Sequence, residues 1–138
     1  MHKYLFLNDL EIICLLCHNY IMKWKVKLHK KFAFEFNDLE AEVQDELLAH
    51  ALLLEKFGPQ LGALCDTLKG SKHANMKELR FKASNGVWRV AFAYDPKREA
   101  ILLVAGNKSG TSEKRFYKDL IRKADERFSD YLTLLKKR

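Results

Sequence analysis

Residues 76–94 read MKELRFKASNGVWRVAFAY, and this stretch decides the fold. Apolar and polar side chains alternate over 76–82 and again over 87–94, a period of two that predicts a pair of half-buried β-strands. Between the strands stands Asn-Gly at 85–86, the strongest short-range signal for a β-hairpin. We therefore predict an antiparallel hairpin whose two-residue turn is formed by Asn85 and Gly86.

This turn would set Lys82 opposite Arg89 and make Arg80 a diagonal neighbour of Arg89. One face of the hairpin is then apolar and comprises Leu79, Phe81, Trp88, Val90 and Phe92. The other face carries three cations, and like charges on neighbouring strands destabilise a sheet by a few tenths of a kcal/mol. We expect an anion to compensate them, either Glu78 or a bound phosphate. The alternative is a solvent-exposed polar face with nothing bound.

Two more strands are predicted on either side of the hairpin in sequence. Residues 100–105 form a continuous apolar run, which indicates a central strand buried on both faces. Residues 23–28 alternate Lys with apolar side chains, which is typical of a half-buried strand. Residues 60–75 lack a clear period and predict a loop.

Helices account for the rest of the chain. Residues 30–36 predict a short helix, and Asn37 or Asp38 can cap a second helix, which a Gly-Pro pair at 58–59 ends. Ser112 can cap a C-terminal helix. The order of strand, two helices, three strands and helix predicts an α+β fold. In this fold the N-terminal helices pack on one face of a small antiparallel sheet, and a C-terminal helix completes the domain.

The charge balance points to an anionic partner. The 138 residues include 25 Lys and Arg against 18 Asp and Glu, a net charge of +7, which favours RNA or DNA first and a membrane surface second. The charge is also segregated along the chain. Residues 37–55 hold six acids and no Lys or Arg, whereas residues 69–98 hold eight bases and two acids. The middle of the chain is therefore the candidate anion-binding surface.

The first residues differ from the rest. Met22 precedes a clean alternating strand, so residues 22–138 are predicted to be a single domain and residues 1–21 an N-terminal extension outside it. The alternative is that residues 1–21 form a short helix added to the domain. Asp9 and Glu11 argue against a membrane span in the extension, because an acid buried in a bilayer costs about 3 kcal/mol. Three cysteines, an odd and small number, argue against a disulfide framework and indicate a cytoplasmic location.

Several short motifs resemble the HigB branch of the RelE/ParE toxin superfamily. They are GSKHANMKELRF at 70–81, Trp-Arg-Val at 88–90, Gly-Asn-Lys at 106–108 and Gly-Pro-Gln-Leu at 58–61. The resemblance covers roughly residues 23–132 and implies the microbial-ribonuclease-like RelE fold. It also implies the toxin of a bacterial type II toxin–antitoxin system, a ribosome-dependent endoribonuclease that cuts mRNA and inhibits translation.

The resemblance further implies the partners. A cognate antitoxin, often a helix-turn-helix protein, would bind and silence the toxin, and DNA would be contacted only through the antitoxin complex. The expected substrate is mRNA on the ribosome, with no cofactor and no membrane. Two alternatives stay open: a ParE-like gyrase inhibitor, and a non-catalytic module on the same fold that binds RNA or the antitoxin.

Metal-free RNA cleavage needs a base for the 2′-hydroxyl, cations for the phosphorane and an acid for the leaving 5′-oxygen. Arg80 and Arg89 suit the phosphorane because a guanidinium makes planar, bidentate phosphate contacts. Lys108 is a third candidate cation. His73 has the unperturbed pKa that best suits proton transfer, although a loop histidine with no role is the alternative. Tyr117 is a candidate only through the resemblance, because the RelE branch uses an aromatic residue near this position for proton transfer.

Further bases of the middle segment are candidate RNA contacts: Lys69, Lys72, Lys77 and Lys82. The acids form no pair with the spacing of metal ligands, so we predict no metal site. Because neither Arg80 nor Arg89 belongs to the apolar face of the hairpin, we expect the loss of either side chain to leave the fold intact.

Overall fold

The computed structural model describes residues 24–137, with the side chains of 62–64 left aside. The predicted N-terminal extension, residues 1–21, lies outside the described residues. The five strands are β1 (Lys25–Leu28), β2 (Cys65–Thr67), β3 (Met76–Ala83), β4 (Gly86–Tyr94) and β5 (Glu99–Asn107). The helices are α1 (Lys30–Asn37), α2 (Ala41–Phe57) and α3 (Glu113–Lys136), with a 3-10 segment over Gly58–Leu64.

The strands form one sheet in the order β1-β5-β4-β3-β2. The pairs from β2 through β5 are antiparallel, whereas β1 pairs with β5 in parallel, Lys25 beside Glu99 and Leu28 beside Leu102. The predicted α+β fold is confirmed, with two additions: the parallel pairing of β1 and the short edge strand β2. A parallel pair needs a long crossover connection, and helices α1 and α2 lie within the chain that separates β1 from the hairpin.

The helices cover the two faces of the sheet. Side chains of α1 and α2, among them Phe32 and Leu47, pack with Leu79 and Phe92 on one face. On the other face, α3 packs against the alternate residues of β4 and β5. Strand β5 is therefore buried on both sides, as its continuous apolar run predicts. The face under α3 also carries the polar side chains of β3 and β4, so this helix positions the candidate site.

The hairpin turn is one residue earlier than predicted. Ser84 and Asn85 form the turn, both with positive φ (48° and 61°), so that Ala83 pairs with Gly86. Arg80 therefore lies directly opposite Arg89, and the predicted register is wrong by two residues. The faces are unaffected, because side chains alternate with a period of two.

The turn lies one residue earlier than predicted because Gly86 is needed as the first residue of β4. A Cβ at this position would lie 2.7 Å from Asn107 Nδ2 and 2.9 Å from Trp88 Nε1. The glycine is therefore needed for space between two side chains rather than for the turn. Asn85 and Ser84 supply the positive φ values that a two-residue turn of this hand requires.

Local helix signals give mixed outcomes. The Ser112 cap is confirmed, since its Oγ accepts a hydrogen bond from the N–H of Arg115 at 3.2 Å. The cap predicted at Asn37 or Asp38 is wrong, because α1 runs through Asn37 and α2 begins after Glu40 without a side-chain cap.

The predicted loop over 60–75 contains the 3-10 segment and the short edge strand β2. Within residues 24–137, no helix is long and apolar enough to cross a membrane.

Candidate active site

Four side chains converge where the first turns of α3 cross the hairpin. Arg80 on β3 and Arg89 on β4 face each other across the strands, and Glu78 lies on the same face, two residues before Arg80. Tyr117 reaches down onto them from α3. We call Glu78, Arg80, Arg89 and Tyr117 the arginine cluster.

Glu78 is the centre of this cluster. It is only 4% exposed, and its Oε1 atom accepts a hydrogen bond from the Tyr117 hydroxyl at 2.8 Å. The same oxygen lies 3.3 Å from Nε of Arg80 and 3.2 Å from Nε of Arg89. Glu78 is thus the anion that offsets the two facing arginines. The sequence pointed to it as a compensating charge but not as a residue of the site.

The two arginines differ in access to solvent. The Arg80 side chain is 43% exposed, and its guanidinium also contacts Asp66 Oδ2 on β2 at 2.7 Å. The Arg89 side chain is only 13% exposed, and it donates to the Tyr117 hydroxyl at 3.1 Å and to the Trp88 carbonyl at 3.0 Å. Arg80 can therefore turn toward a ligand, whereas Arg89 is held within the protein.

Tyr117 is held in its neutral form. Burial raises the pKa of Tyr117, and the hydrogen bond to Glu78 raises it further. The phenol therefore carries its proton at neutral pH. Because its oxygen accepts from Arg89 and its hydrogen is given to Glu78, the hydroxyl has one defined orientation.

Lys108 lies beside the arginine cluster. Its Nζ atom is 5.7 Å from the centre of the Tyr117 ring and 2.7 Å from Glu113 Oε1. The lysine sits at the end of β5, where its backbone N–H donates to the Val87 carbonyl at 2.7 Å. The structure thus brings four of the five sequence-predicted catalytic candidates together: Arg80, Arg89, Lys108 and Tyr117.

His73, the fifth candidate, lies elsewhere. Its Nε2 atom is 3.0 Å from Ser129 Oγ, and its ring stands edge-on to Phe128 at 4.9 Å. Ser129 is twelve residues after Tyr117 on α3, about 18 Å along the helix at 1.5 Å per residue. His73 is therefore outside hydrogen-bonding reach of the arginine cluster.

The four predicted RNA contacts also separate. Lys82 is exposed on the same face as Arg80, opposite Val87. Lys69 and Lys72 are exposed on the loop between β2 and β3. Lys77 is one position out of phase with Arg80 and Lys82, and its Nζ reaches Thr67 Oγ1 at 3.3 Å on the edge strand β2. Three of the four thus lie on the face or the loop next to α3, and Lys77 does not.

The arrangement is suited to binding a phosphate. The Arg80 guanidinium can leave its carboxylate partners, and Arg89 supplies a second, fixed guanidinium. Lys108 adds an ammonium group, and Tyr117 adds a neutral phenol. Among residues 24–137, no group of three or more His, Cys, Asp or Glu side chains is placed to hold a metal ion. The chemistry available at this face is therefore anion binding together with proton donation.

The fold and the place of this site define a class of protein. The structure resembles a solved mutant of the Escherichia coli toxin RelE in the free state, with a TM-score of 0.52 over 72% of this chain and 94% of that chain. The sequence identity is 13%, so this likeness establishes the RelE fold alone.

The sequence gives the family. The chain belongs to the family described as "Phage derived protein Gp49-like (DUF891)", which matches residues 34–129. It is 42% identical over 123 residues to "Putative toxin HigB2" of Mycobacterium tuberculosis, covering 87% of this chain and 59% of that protein. It is 46% identical over 81 residues to "Putative toxin HigB3" of the same organism, covering 58% of this chain and 68% of that protein. The resemblance to the HigB branch of the RelE superfamily is confirmed, and the chain spans less than two thirds of HigB2.

Proposed function

We propose that this chain is the toxin of a bacterial type II toxin–antitoxin pair and cuts mRNA as a metal-independent endoribonuclease. The observation that carries the proposal is the arginine cluster, where two arginines and a neutral tyrosine share one buried carboxylate. Cleavage proceeds by attack of the 2′-oxygen on the adjacent phosphorus, which forms a cyclic phosphate and releases the 5′-oxygen.

The arginines stabilise the charge that develops on the phosphorane. Arg80 leaves Asp66 and Glu78 and makes a bidentate contact to the phosphate, while Arg89 stays on Glu78 and adds positive charge beneath it. Lys108 supplies a further cation at the rim of the cluster. The removal of one such charged donor from a transition state typically costs 10²–10³ in rate.

Tyr117 donates the proton to the leaving 5′-oxygen. Its raised pKa keeps the phenol protonated, and its hydroxyl is oriented by Glu78 and Arg89. Glu78 is a positioning residue, because it is buried, accepts hydrogen bonds from Arg80 and Tyr117, and forms an ion pair with Arg89. The proton of the 2′-hydroxyl passes to a base that the ribosome supplies, so cleavage should require the ribosome.

The proposed function as an mRNA-cleaving toxin also implies its partners. A cognate helix-turn-helix antitoxin neutralises the toxin, and DNA is bound only by the complex of the two. The mRNA substrate places the protein in the cytoplasm. Helix α2, with its acidic outer side, packs on the face of the sheet opposite to α3, so an antitoxin bound there would leave the arginine cluster uncovered.

Controlled expression in bacteria tests the proposal. Induction of the chain alone is expected to stop growth and to produce new 5′ ends within translated mRNA, mapped by primer extension. In a purified translation system, cleavage should require ribosomes and should persist when polyamines replace most of the Mg²⁺ that stabilises them.

Two results would contradict this function. Stable transcripts with normal translation would exclude the nuclease activity and indicate a non-catalytic binding module. Intact mRNA accompanied by double-strand DNA breaks would indicate a gyrase inhibitor of the ParE type.

A further inference from the structure

The loop between β2 and β3 runs along α3, away from the arginine cluster. Gly70 lies beside Ile121, one helical turn after Tyr117. A turn further on, Asp125 accepts hydrogen bonds from the hydroxyl of Ser71 and from the N–H of Lys72. His73 then meets Ser129, one more turn along the helix. Loop and helix thus form a continuous surface about 18 Å long.

This surface ends in a cavity. Its volume is about 430 Å³, and it is open to solvent. Phe128 and Leu132 supply apolar walls, and His73, Asn75 and Pro96 stand around them. Within residues 24–137, the side-chain amide of Asn75 has no hydrogen-bond partner. The cavity therefore combines apolar walls, the rings of His73 and Pro96, and an Asn75 amide that can donate and accept a hydrogen bond.

We propose that this cavity binds a nucleobase of single-stranded RNA, several nucleotides from the phosphate that is cleaved. The proposal rests on the proposed function. Single-stranded RNA is recognised by splaying out a base, packing it on rings and pairing its edge with side-chain amides. His73 and Pro96 offer the flat surfaces, and the Asn75 amide offers one donor and one acceptor to the base edge.

The charges along the surface suit an RNA backbone between the two sites. Lys69 and Lys72 are exposed on the loop, and Arg122 stands next to Lys72 on α3. A stacked strand, at 3.4 Å per nucleotide, needs about five nucleotides to span 18 Å. The base in the cavity is therefore outside the nucleotides that flank the cleaved bond.

The acids near the cavity do not oppose this ligand equally. Asp95 lines the cavity, but its Oδ1 accepts from the N–H groups of Lys97 and Glu99, and its Oδ2 accepts from the Tyr131 hydroxyl. Its lone pairs are thus committed to the protein. Glu126 and Asp130 lie on the solvent side of α3, next to Lys72 and Arg122, and they offset part of the attraction of these two bases for a phosphate.

A binding experiment tests the cavity without relying on catalysis. The probes are 2′-O-methyl RNA octamers, which cannot be cleaved, with a single abasic position moved stepwise along the strand. For the wild-type chain, we expect one abasic position to weaken binding about fivefold or more, the loss typical of one stacked base. The His73 ring signals in NMR spectra should shift with the intact octamer and not with that abasic one.

Variants assign the effect to the cavity. In Asn75→Ala and His73→Ala chains, the same abasic position should no longer matter, whereas Lys97→Ala, an exposed change in the adjacent turn, should behave as wild type. On mRNA, the two cavity variants should keep cutting but lose a base preference a few nucleotides from the cut.

The outcomes separate the two proposals. Octamer binding with the His73 response but no mRNA cleavage would support the cavity and contradict the nuclease. Cleavage whose positions are unchanged in both cavity variants, with no abasic effect, would overturn the cavity and leave the nuclease standing. Loss of antitoxin binding in these variants with RNA binding unchanged would also overturn it, because the cavity would then serve a protein partner.

Discussion

Arg80 and Arg89 face each other across β3 and β4, and the Nε atoms of both reach the same oxygen of Glu78, at 3.3 and 3.2 Å. Two like charges in direct opposition would destabilise the hairpin, and the shared carboxylate removes that cost. The pair is asymmetric, however. Arg80 reaches solvent, whereas Arg89 is covered by Tyr117. The two arginines should therefore respond differently to mutation.

Arg80→Ala should remove activity without harming the fold. Arg80 is exposed and its partners Asp66 and Glu78 retain solvent or other donors, so the free energy of unfolding should change little. The cleavage rate should fall about 10²–10³-fold because a charged donor to the transition state is lost. Primer extension with time measures the rate, and Lys30→Ala, an exposed cation on α1 at the other face of the sheet, is the control. An Arg80→Ala chain that cuts at the wild-type rate would contradict the assignment.

Arg89→Ala should destabilise the protein, contrary to the expectation from sequence that neither arginine supports the fold. Its loss removes an ion-pair partner from buried Glu78 and leaves the Tyr117 oxygen without its donor. A buried polar group that loses its partner typically costs about 1–3 kcal/mol. Urea denaturation followed by circular dichroism gives the difference, with Arg80→Ala as the comparison. Equal stability of the two variants would show that Glu78 does not depend on Arg89.

Tyr117→Phe should reduce cleavage while keeping the aromatic packing on α3. The change removes only the hydroxyl, and general acid catalysis typically contributes about 10²–10⁴ in rate. Since burial raises the pKa of Tyr117, the wild-type rate should show no tyrosine ionisation below about pH 10. Tyr131→Phe, at the other end of α3, is the control because its hydroxyl contacts Asp95 instead. Similar rates for both variants would exclude Tyr117 as the proton donor.

His29 should make the stability of the protein depend on pH in the mildly acidic range. Burial lowers the pKa of His29, the nearby Arg127 lowers it further, and neutral Nδ1 accepts from the N–H of Lys31 as the cap of α1. The unfolded chain then binds the proton more readily, so stability is complete above about pH 6.5 and falls as the pH drops below it.

Asn in place of His29 provides the control for that prediction. His29→Asn retains a capping side chain that does not titrate, so thermal unfolding should become less dependent on pH between about 5 and 7. His29→Ala should lower the melting temperature at both ends of this pH range. If the wild type and His29→Asn lose stability in parallel on acidification, another group is responsible.

Gly86→Ala should destabilise the hairpin through packing. The added methyl group would lie within 3 Å of both Asn107 and Trp88, and such overpacking typically costs about 1–3 kcal/mol. Asn85→Gly, in the exposed turn next to it, should change stability far less because glycine adopts a positive φ readily. Comparable losses in the two variants would mean that Gly86 acts through its backbone conformation.

The sequence by itself determined the main helices and strands, apart from the short strand β2, and the faces of the hairpin. Alternation with a period of two places Arg80, Lys82 and Arg89 on one face whatever the register, and the apolar run at 100–105 predicts a strand buried on both sides. The Ser112 cap is equally local, since a hydroxyl and the N–H groups of one helical turn suffice to form it. Family motifs then led to the RelE fold, which the structure confirms.

Only the tertiary structure decided which polar groups meet. The Asn-Gly pair predicts one turn, but the space between Trp88 and Asn107 demands a glycine at 86 and moves the turn to Ser84 and Asn85. In the same way, Glu78 becomes the centre of the site because α3 brings Tyr117 over it, a contact between residues 39 positions apart.

His73 shows the same limit. Its pKa range suits proton transfer, yet the loop that carries it is fastened to Asp125 and Ser129, well along α3 from the arginines. The parallel pairing of β1 with β5 likewise joins segments more than 70 residues apart. Periodicity and capping depend on neighbours in the chain, so sequence encodes them directly. Contacts across the sheet depend on how whole elements pack. The sequence around each residue therefore does not show which distant residue it will contact.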